Sequence, residues 1–280
     1  MRGTTTGERA QFAAIAQLVA EEAGALVSAG FRSRPPVESK GPSDLVTEYD
    51  RASEDMLTMR LGSLAPGIPV VGEERGEGFA PMALRSGLIW YVDPLDGTTN
   101  FVHGHPFWSI SVGLFDGDEP IAGAVVAPAL GLRWSGWVGE PVSVTGRSGR
   151  PGEARRNGQR CGVSPTQRLE DALVATGFPT VRNVAPANNF HSFMSVKHVV
   201  QGVRRCGSAA IDLCMVADGT YDGYWERKLN IWDVAAGCAV VLGARGRVTA
   251  LDGGVPNYHE GHLAVSNGHL HDALVEAINA

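Results

Sequence analysis

Trp90-Tyr91-Val92-Asp93-Pro94-Leu95-Asp96-Gly97-Thr98-Thr99-Asn100-Phe101 is the stretch that decides how this chain reads. The apolar run 88–92 has the length of a buried strand and ends on an acid, Asp93. Hard divalent cations take several oxygen ligands, carboxylates and backbone carbonyls among them. Asp93 and Asp96 supply two carboxylates around a turn that Pro94 fixes, with the Leu95 carbonyl between them. Gly97 leaves no side chain behind the turn, so a substrate oxygen can approach the Gly97 and Thr98 amides. Read alone, Asp-Pro-x-Asp-Gly is good turn chemistry, and the metal reading needs the other acids beside it.

Working outward, other acids also fall where secondary structure ends. Residues 68–71 are a second short apolar run, followed by Gly72-Glu73-Glu74. Thr47 and Asp50 have the spacing of a helix-capping pair, and Ala52, Met56 and Met59 follow at helical spacing. Asp233 opens a helix over 232–242, where a negative charge suits the helix dipole. Each has a plain alternative: a solvated strand end for Gly-Glu-Glu, a helix-start acid for Asp233. They become informative as a set.

The remaining pattern predicts a helix over 11–27, an extended stretch over 40–46, and a strand over 108–114 in which Trp108, Ile110, Val112 and Leu114 alternate with Ser109, Ser111 and Gly113. Asp116-Gly117-Asp118 turns that strand into a hairpin with 121–126. Residues 139–160, rich in Gly, Pro and Arg and without periodicity, read as a loop between lobes. Helices are expected over 192–203, 208–217 and 269–278, and a strand over 247–251. Strands with interleaved helices on this scale imply a layered α/β or α+β enzyme fold.

The chain has 280 residues and a formal net charge of -6, which argues against bulk nucleic-acid binding. Cys161, Cys206, Cys214 and Cys238 offer no zinc spacing and read as reduced thiols. The longest apolar runs, 121–132 and 234–244, are too short to span a bilayer, and the N-terminus lacks the apolar core of a signal peptide, so the expectation is a cytoplasmic protein. His103 and His105 read as structural loop histidines, and Trp90, Trp108 and Trp232 as core. No nucleophile elbow, Walker loop or dinucleotide fingerprint is present.

Taken together, the motifs resemble those of the inositol monophosphatase family of magnesium-dependent, lithium-sensitive phosphatases. Lys40-Gly-Pro-Ser-Asp-Leu-Val-Thr-Glu-Tyr-Asp50 is similar to its first motif, Val71-Gly-Glu-Glu74 to its second, and 90–101 to its signature. Arg205-Cys-Gly-Ser-Ala-Ala-Ile-Asp-Leu-Cys214, Asp222-Gly-Tyr-Trp-Glu226 and Trp232-Asp-Val-Ala-Ala-Gly237 follow in family order. Three departures stand out: Ile231 where Pro commonly precedes Trp-Asp, Gly243-Ala-Arg245-Gly246 where many members carry Glu-Ala-Gly-Gly, and a longer stretch over 141–153.

The resemblance implies an α+β fold, a layered αβαβα sandwich of the sugar-phosphatase type. It implies one catalytic domain with two lobes, a metal-binding lobe over about 1–145 and a substrate-facing lobe over about 146–280. It further implies two or three Mg2+ ions held by Glu73, Asp93, the Leu95 carbonyl, Asp96 and Asp233, with Asp93 bridging. Asp50, Glu73 and Thr98 would be catalytic, Thr98 with Asp50 orienting and deprotonating water. Asp96, Gly97, Thr98, Gly207, Ser208, Ala209, Glu226 and Asp233 would bind substrate, and Lys40 could neutralise site water or phosphate. With five acids (Asp50, Glu73, Asp93, Asp96, Asp233) assigned to this cluster, 25 acids face 24 bases in the rest of the chain, so the net charge is largely a local well.

The leading expectation is an inositol-1-phosphate phosphatase that acts on a small phosphorylated cyclitol or sugar and forms a homodimer, with no membrane partner. Fructose-1,6-bisphosphatase, 3'-phosphoadenosine nucleotide phosphatase and histidinol-phosphate phosphatase are alternatives on related folds. The context Thr98-Thr99-Asn100-Phe101, Phe107-Trp108 and Thr176-Gly177-Phe178-Pro179 resembles the inositol branch. A different class is a regulator that binds RNA or transcription complexes, for which Arg147, Arg150, Arg155, Arg156 and Arg160 would form a basic patch; a solvated loop is the favoured reading of that tract.

Overall fold

Helix α1 (Thr6–Ser28) begins where Thr5 and Glu8 cap each other reciprocally, and its buried stripe of Ala13, Ala16, Val19, Ala20, Ala23 and Val27 recurs at helical spacing. Small alanines let the helix lie close to a sheet. The structure is a computed structural model that describes residues 4–41, 44–75, 87–139, 152–179 and 188–280, without the side chains of Lys40 and Asp44.

After α1 come a short hairpin, β1 (Glu38–Gly41) and β2 (Asp44–Val46), and helix α2 (Glu48–Leu64), capped by Thr47 and Asp50 as the sequence predicts. Strands β3 (Val70–Gly72) and β4 (Leu88–Asp96), the short helix α3 (Thr98–Val102), β5 (Ser109–Asp116), β6 (Glu119–Ala127), β7 (Leu132–Trp137), β8 (Glu153–Arg156) and β9 (Gln159–Cys161) follow. These form a seven-stranded sheet in the order β3-β4-β5-β6-β7-β8-β9, parallel between β3 and β4 and antiparallel elsewhere.

The second half supplies β10 (Leu173–Thr176), α4 (Phe190–Val199), β11 (Gly202–Arg204), α5 (Ala209–Ala217), β12 (Gly223–Glu226), α6 (Ile231–Gly243), β13 (Arg247–Ala250), β14 (Leu263–Ser266) and α7 (His271–Asn279). Its five strands order as β11-β10-β12-β14-β13. Helices α1 and α2 cover one face of the larger sheet, α5 and α6 fill the space between the sheets, and α4 and α7 cover the outer face of the smaller one. This is the αβαβα sandwich expected. Among the described residues no helix is long and apolar enough to cross a membrane.

The alternation in β5 separates two buried faces. Trp108, Ile110, Val112 and Leu114 pack in the core beneath α1 and α2. The opposite face carries Gly113, which pairs across the sheet with Gly123, and Gly123 pairs with Gly136. A Cβ at Gly113 would meet the Ala236 nitrogen at 2.5 Å, one at Gly123 the Ala236 Cα at 2.7 Å, and one at Gly136 the Val240 Cα at 2.9 Å. The glycine row is the trough in which α6 lies, and α6 brings Asp233 to the site.

Two expectations are corrected. Residues 139–160 are not a loop throughout: 153–156 and 159–161 pair as β8 and β9 and extend the larger sheet, while 140–151 lie outside the described residues. Arginines there face acids, Arg155 and Arg160 on Glu153 and Arg156 on Asp218 at 3.3 Å, so local pairing explains much of their abundance. Arg147 and Arg150 lie outside the described residues. The helix expected over 192–203 spans Phe190–Val199, because 202–204 pairs as a strand with β10. All four cysteines are free thiols.

Candidate active site

Strand β4 breaks its register with β5 between Asp93 and Asp96. Pro94 has no N–H to give a ladder, so the bulge falls where the chain can lose a bond. Ser53 of α2 donates to the Pro94 carbonyl at 2.8 Å and pins the bulge from beneath. Asp93 Oδ1 accepts from the Leu95 amide at 3.0 Å. Asp96 Oδ2 accepts from the Ser208 hydroxyl, from the Ala210 amide at 3.0 Å and from the Ser109 hydroxyl at 3.3 Å. At the start of α6, Asp233 Oδ2 accepts from the Asn230 amide at 2.7 Å.

Glu73 stands just after β3. Buried Glu54 of α2 holds that turn, accepting from the Glu74 amide at 2.7 Å, and lies where a Cβ on Gly72 would be, 2.5 Å away. Glu54 was not singled out in the sequence, where it reads as one more polar position on an amphipathic helix.

One cavity of about 680 Å3 is lined by Glu73, Asp93, Leu95, Asp96, Gly97, Thr98, Gly207, Ser208, Ala209, Glu226 and Asp233, among others. The fold therefore places these residues around one cavity. Burial pushes Asp93 well above the ordinary aspartate range, and the charges of Glu73, Asp96 and Asp233 push it further. Asp233 is raised by burial and by Glu73 and Asp96. Asp96 is pushed up to about 6 by burial, with the bonds from Ser208, Ala210 and Ser109 opposing. Among the described residues no basic side chain forms an ion pair with Asp93, Asp96 or Asp233.

Mutually repelling carboxylates around one cavity, joined by a backbone carbonyl, are an oxygen donor set suited to hard divalent cations. Among the described residues no group of three or more His, Cys, Asp or Glu side chains is arranged to hold a metal ion as it stands. The donors fit in type, and all of them line the same cavity.

Asp50 is outside the cavity wall and acts on it through Thr98. The Thr98 hydroxyl lies 2.9 Å from Asp50 Oδ1 and 3.0 Å from the Leu95 carbonyl. Asp50 Oδ2 accepts from the Thr47 amide at 2.8 Å and its hydroxyl at 2.6 Å. Burial raises the Asp50 carboxyl in spite of these bonds. Gly97 has φ +88, and a Cβ there would lie 3.0 Å from the Phe107 carbonyl and 3.2 Å from that of Gly207. Its missing side chain thus makes room for protein backbone, a different reason from the substrate approach inferred above.

Glu226, also in the cavity lining, ends β12. It accepts from the Tyr224 hydroxyl at 2.6 Å and is pushed up to about 7 by burial. Gly177 clears its place, since a Cβ there would overlap the Glu226 carboxylate. Ser208 caps α5 through the Ile211 amide at 3.3 Å, and its hydroxyl proton goes to Asp96. The Asn100 amide group reaches the carbonyls of Phe107 at 2.6 Å and Cys206 at 2.8 Å, stapling the signature to the segment before α5. Asn100, Tyr224, Arg205 and Asp212 also belong to this site's surroundings and carried no separate signal in the sequence. Arg205 is exposed at the cavity wall. His103 and His105 do not line the cavity. The Lys40 side chain lies outside the described residues.

The model of the inositol monophosphatase family matches residues 8–280. A phosphatase of Arabidopsis thaliana named IMPL1, chloroplastic, is 37% identical over 275 residues, covering 98% of this chain and 72% of that protein. An inositol-1-monophosphatase of Synechocystis sp. is 36% identical over 259 residues, covering 92% and 85%. The solved structure of inositol monophosphatase from Anabaena (Nostoc) sp. superposes with a TM-score of 0.82 at 34% identity, covering 96% of this chain and 95% of that one.

Proposed function

The chain belongs to the inositol monophosphatase family, and from that premise we propose that it hydrolyses inositol 1-phosphate to myo-inositol and phosphate. It is a phosphoric monoester hydrolase of a metal-dependent family. The observation that carries the reading is the shared cavity, lined by Glu73 after β3, Asp93 and Asp96 of β4, Asp233 of α6 and Glu226 of β12.

Glu73, Asp93, the Leu95 carbonyl, Asp96 and Asp233 would hold two or three Mg2+ ions. When bound, the metal supplies positive charge against the phosphoryl oxygens and acidifies a water molecule. The protein's part is placement and proton transfer. Thr98 has one hydroxyl proton and two acceptors within reach; given to Asp50, it leaves the Thr98 oxygen lone pairs to orient the attacking water. Asp50, raised by burial, is a stronger proton acceptor than an exposed aspartate and takes the proton through Thr98. The Gly97 and Thr98 amides donate to phosphate oxygens. Glu226 accepts a hydroxyl of the alcohol portion, with Gly207, Ser208 and Ala209 forming the wall beside it.

The same proposal takes the chain as one catalytic domain whose metal-holding lobe runs to about residue 145 and whose substrate-facing lobe follows. Glu73, Asp93 and Asp96 come from the first, Asp233 and Glu226 from the second, although β8 and β9 join the larger sheet. It includes a homodimer in the cytoplasm; exposed Phe190, Met194 and Val199 on α4 are the kind of apolar face a second copy covers.

A second reading, fructose 1,6-bisphosphate, draws on Arg205, whose exposed guanidinium at the wall could meet another phosphate. Phosphate release from inositol 1-phosphate, fructose 1,6-bisphosphate, 3'-phosphoadenosine 5'-phosphate and histidinol phosphate, each with Mg2+, separates these. The highest kcat/KM is expected on inositol 1-phosphate; a higher value on any other substrate overturns the assignment.

A further inference from the structure

One acid in the cavity wall has no part in the chemistry above. Asp212 sits in the first turn of α5, is 2% exposed, and lines the cavity. Its Oδ1 is enclosed with no hydrogen-bond partner, and among the described residues its side chain makes no hydrogen bond or ion pair. The helix does not need it as a cap, because Ser208 already accepts from the Ile211 amide. A buried carboxyl left without a partner is destabilising, and such groups mark places where a ligand completes the bonding.

We propose that Asp212 is a substrate-binding residue that hydrogen-bonds a hydroxyl of the alcohol portion, beside the hydroxyl bound by Glu226. The inference rests on the cavity being a polyol phosphate site. The groups that act on Asp212 are Glu226 and Asp96, which raise it together with burial, and Arg205, which opposes them. The net effect favours the neutral acid, whose O–H donates. Glu226 accepts, and one of its oxygens is engaged by Tyr224. A hydroxyl both donates and accepts, so neighbouring hydroxyls on a ring match this donor beside an acceptor. The ligand class is a phosphate ester of an alcohol with adjacent hydroxyls. A phosphate on a bare aryl group leaves Asp212 as unpartnered as it is in the free enzyme.

The test compares myo-inositol 1-phosphate with p-nitrophenyl phosphate on the Mg2+-loaded full chain. Asp212→Ala is expected to raise KM for the inositol ester about tenfold with kcat little changed, and to leave the aryl ester unaffected. Asp212→Asn, which keeps a neutral donor of the same shape, is expected to stay within about twofold of the unmodified enzyme. Should Asp212→Ala not fold, Asp212→Leu fills the volume without a polar group and reads the same KM. Equal losses on both esters would mean a structural role and overturn the proposal. So would an unchanged KM in Asp212→Ala while Glu226→Gln is impaired, a result that leaves the functional reading intact. If Glu226→Gln also leaves the preference for the inositol ester unchanged, the polyol reading itself fails, and the Asp212 assignment with it.

Discussion

Ser208, which caps α5, gives its hydroxyl proton to Asp96 at the end of β4, 112 residues earlier in the chain. One side chain therefore holds a helix start and a predicted metal ligand at once, and ties the smaller half of the molecule to the larger. Ser208→Ala removes both bonds. It is expected to cost about 1–2 kcal/mol of stability, the range for losing a cap and a charge-assisted bond. It should also lower kcat/KM, because Asp96 loses a fixed orientation. Urea unfolding and phosphate release on the same preparation check this.

Thr98 stands between Asp50 and the Leu95 carbonyl. Thr98→Val keeps the shape and deletes the hydroxyl, and is expected to lower kcat by about 100-fold or more with little change in KM. Thr98→Ser is expected to retain most activity. Steady-state kinetics on the two variants distinguishes a proton-transfer role from packing.

Asp93 is repelled by Glu73, Asp96 and Asp233 inside the fold. Asp93→Asn takes one ionisable carboxyl out of that repelling cluster. In the presence of a chelator it is expected to melt higher than the unmodified protein, and with Mg2+ to release no phosphate. A lower melting temperature in chelator would contradict the repulsion, and retained activity would contradict the metal assignment.

Glu226 binds its proton more tightly in the folded protein than an ordinary glutamate does, titrating near 7 because of burial. Its contribution to stability is full below the usual glutamate range and is lost as pH rises through about 7. The stability advantage of the unmodified chain over Glu226→Gln should therefore shrink from pH 5 to about pH 8, measured by urea unfolding in chelator. A difference that grows with pH would show the sign to be wrong.

Gly113 leaves no room for a side chain beneath α6. Gly113→Ala drives a Cβ into helix backbone rather than a movable side chain, so a cost of about 2–3 kcal/mol is expected. Activity should fall with it, since α6 carries Asp233. Unfolding measurements and phosphate release together test that coupling.

The site was legible because its acids sit at local punctuation. Asp93, Asp96 and Glu73 close apolar runs, Thr47 and Asp50 show the capping spacing, and Asp233 opens a helix. The strands β8 and β9 were not legible, because Glu153, Arg155 and Arg160 look like a solvated basic loop until their pairing across the sheet is seen. The turn itself calls for a glycine at Gly97, but the carbonyls of Phe107 and Gly207 that require it lie outside that turn.

The sequence by itself determined the family, the layered fold class and the identity of the acids, because strand ends, caps and motif spacing are set by neighbours along the chain. Only the tertiary structure decided which groups those acids meet. The trough of Gly113, Gly123 and Gly136, the Ser208–Asp96 bond and the unpartnered Asp212 each depend on segments remote in sequence being packed together. Burial and like-charge repulsion arise from that packing, and they turn a net charge of -6 into a concentrated pocket of raised carboxyls.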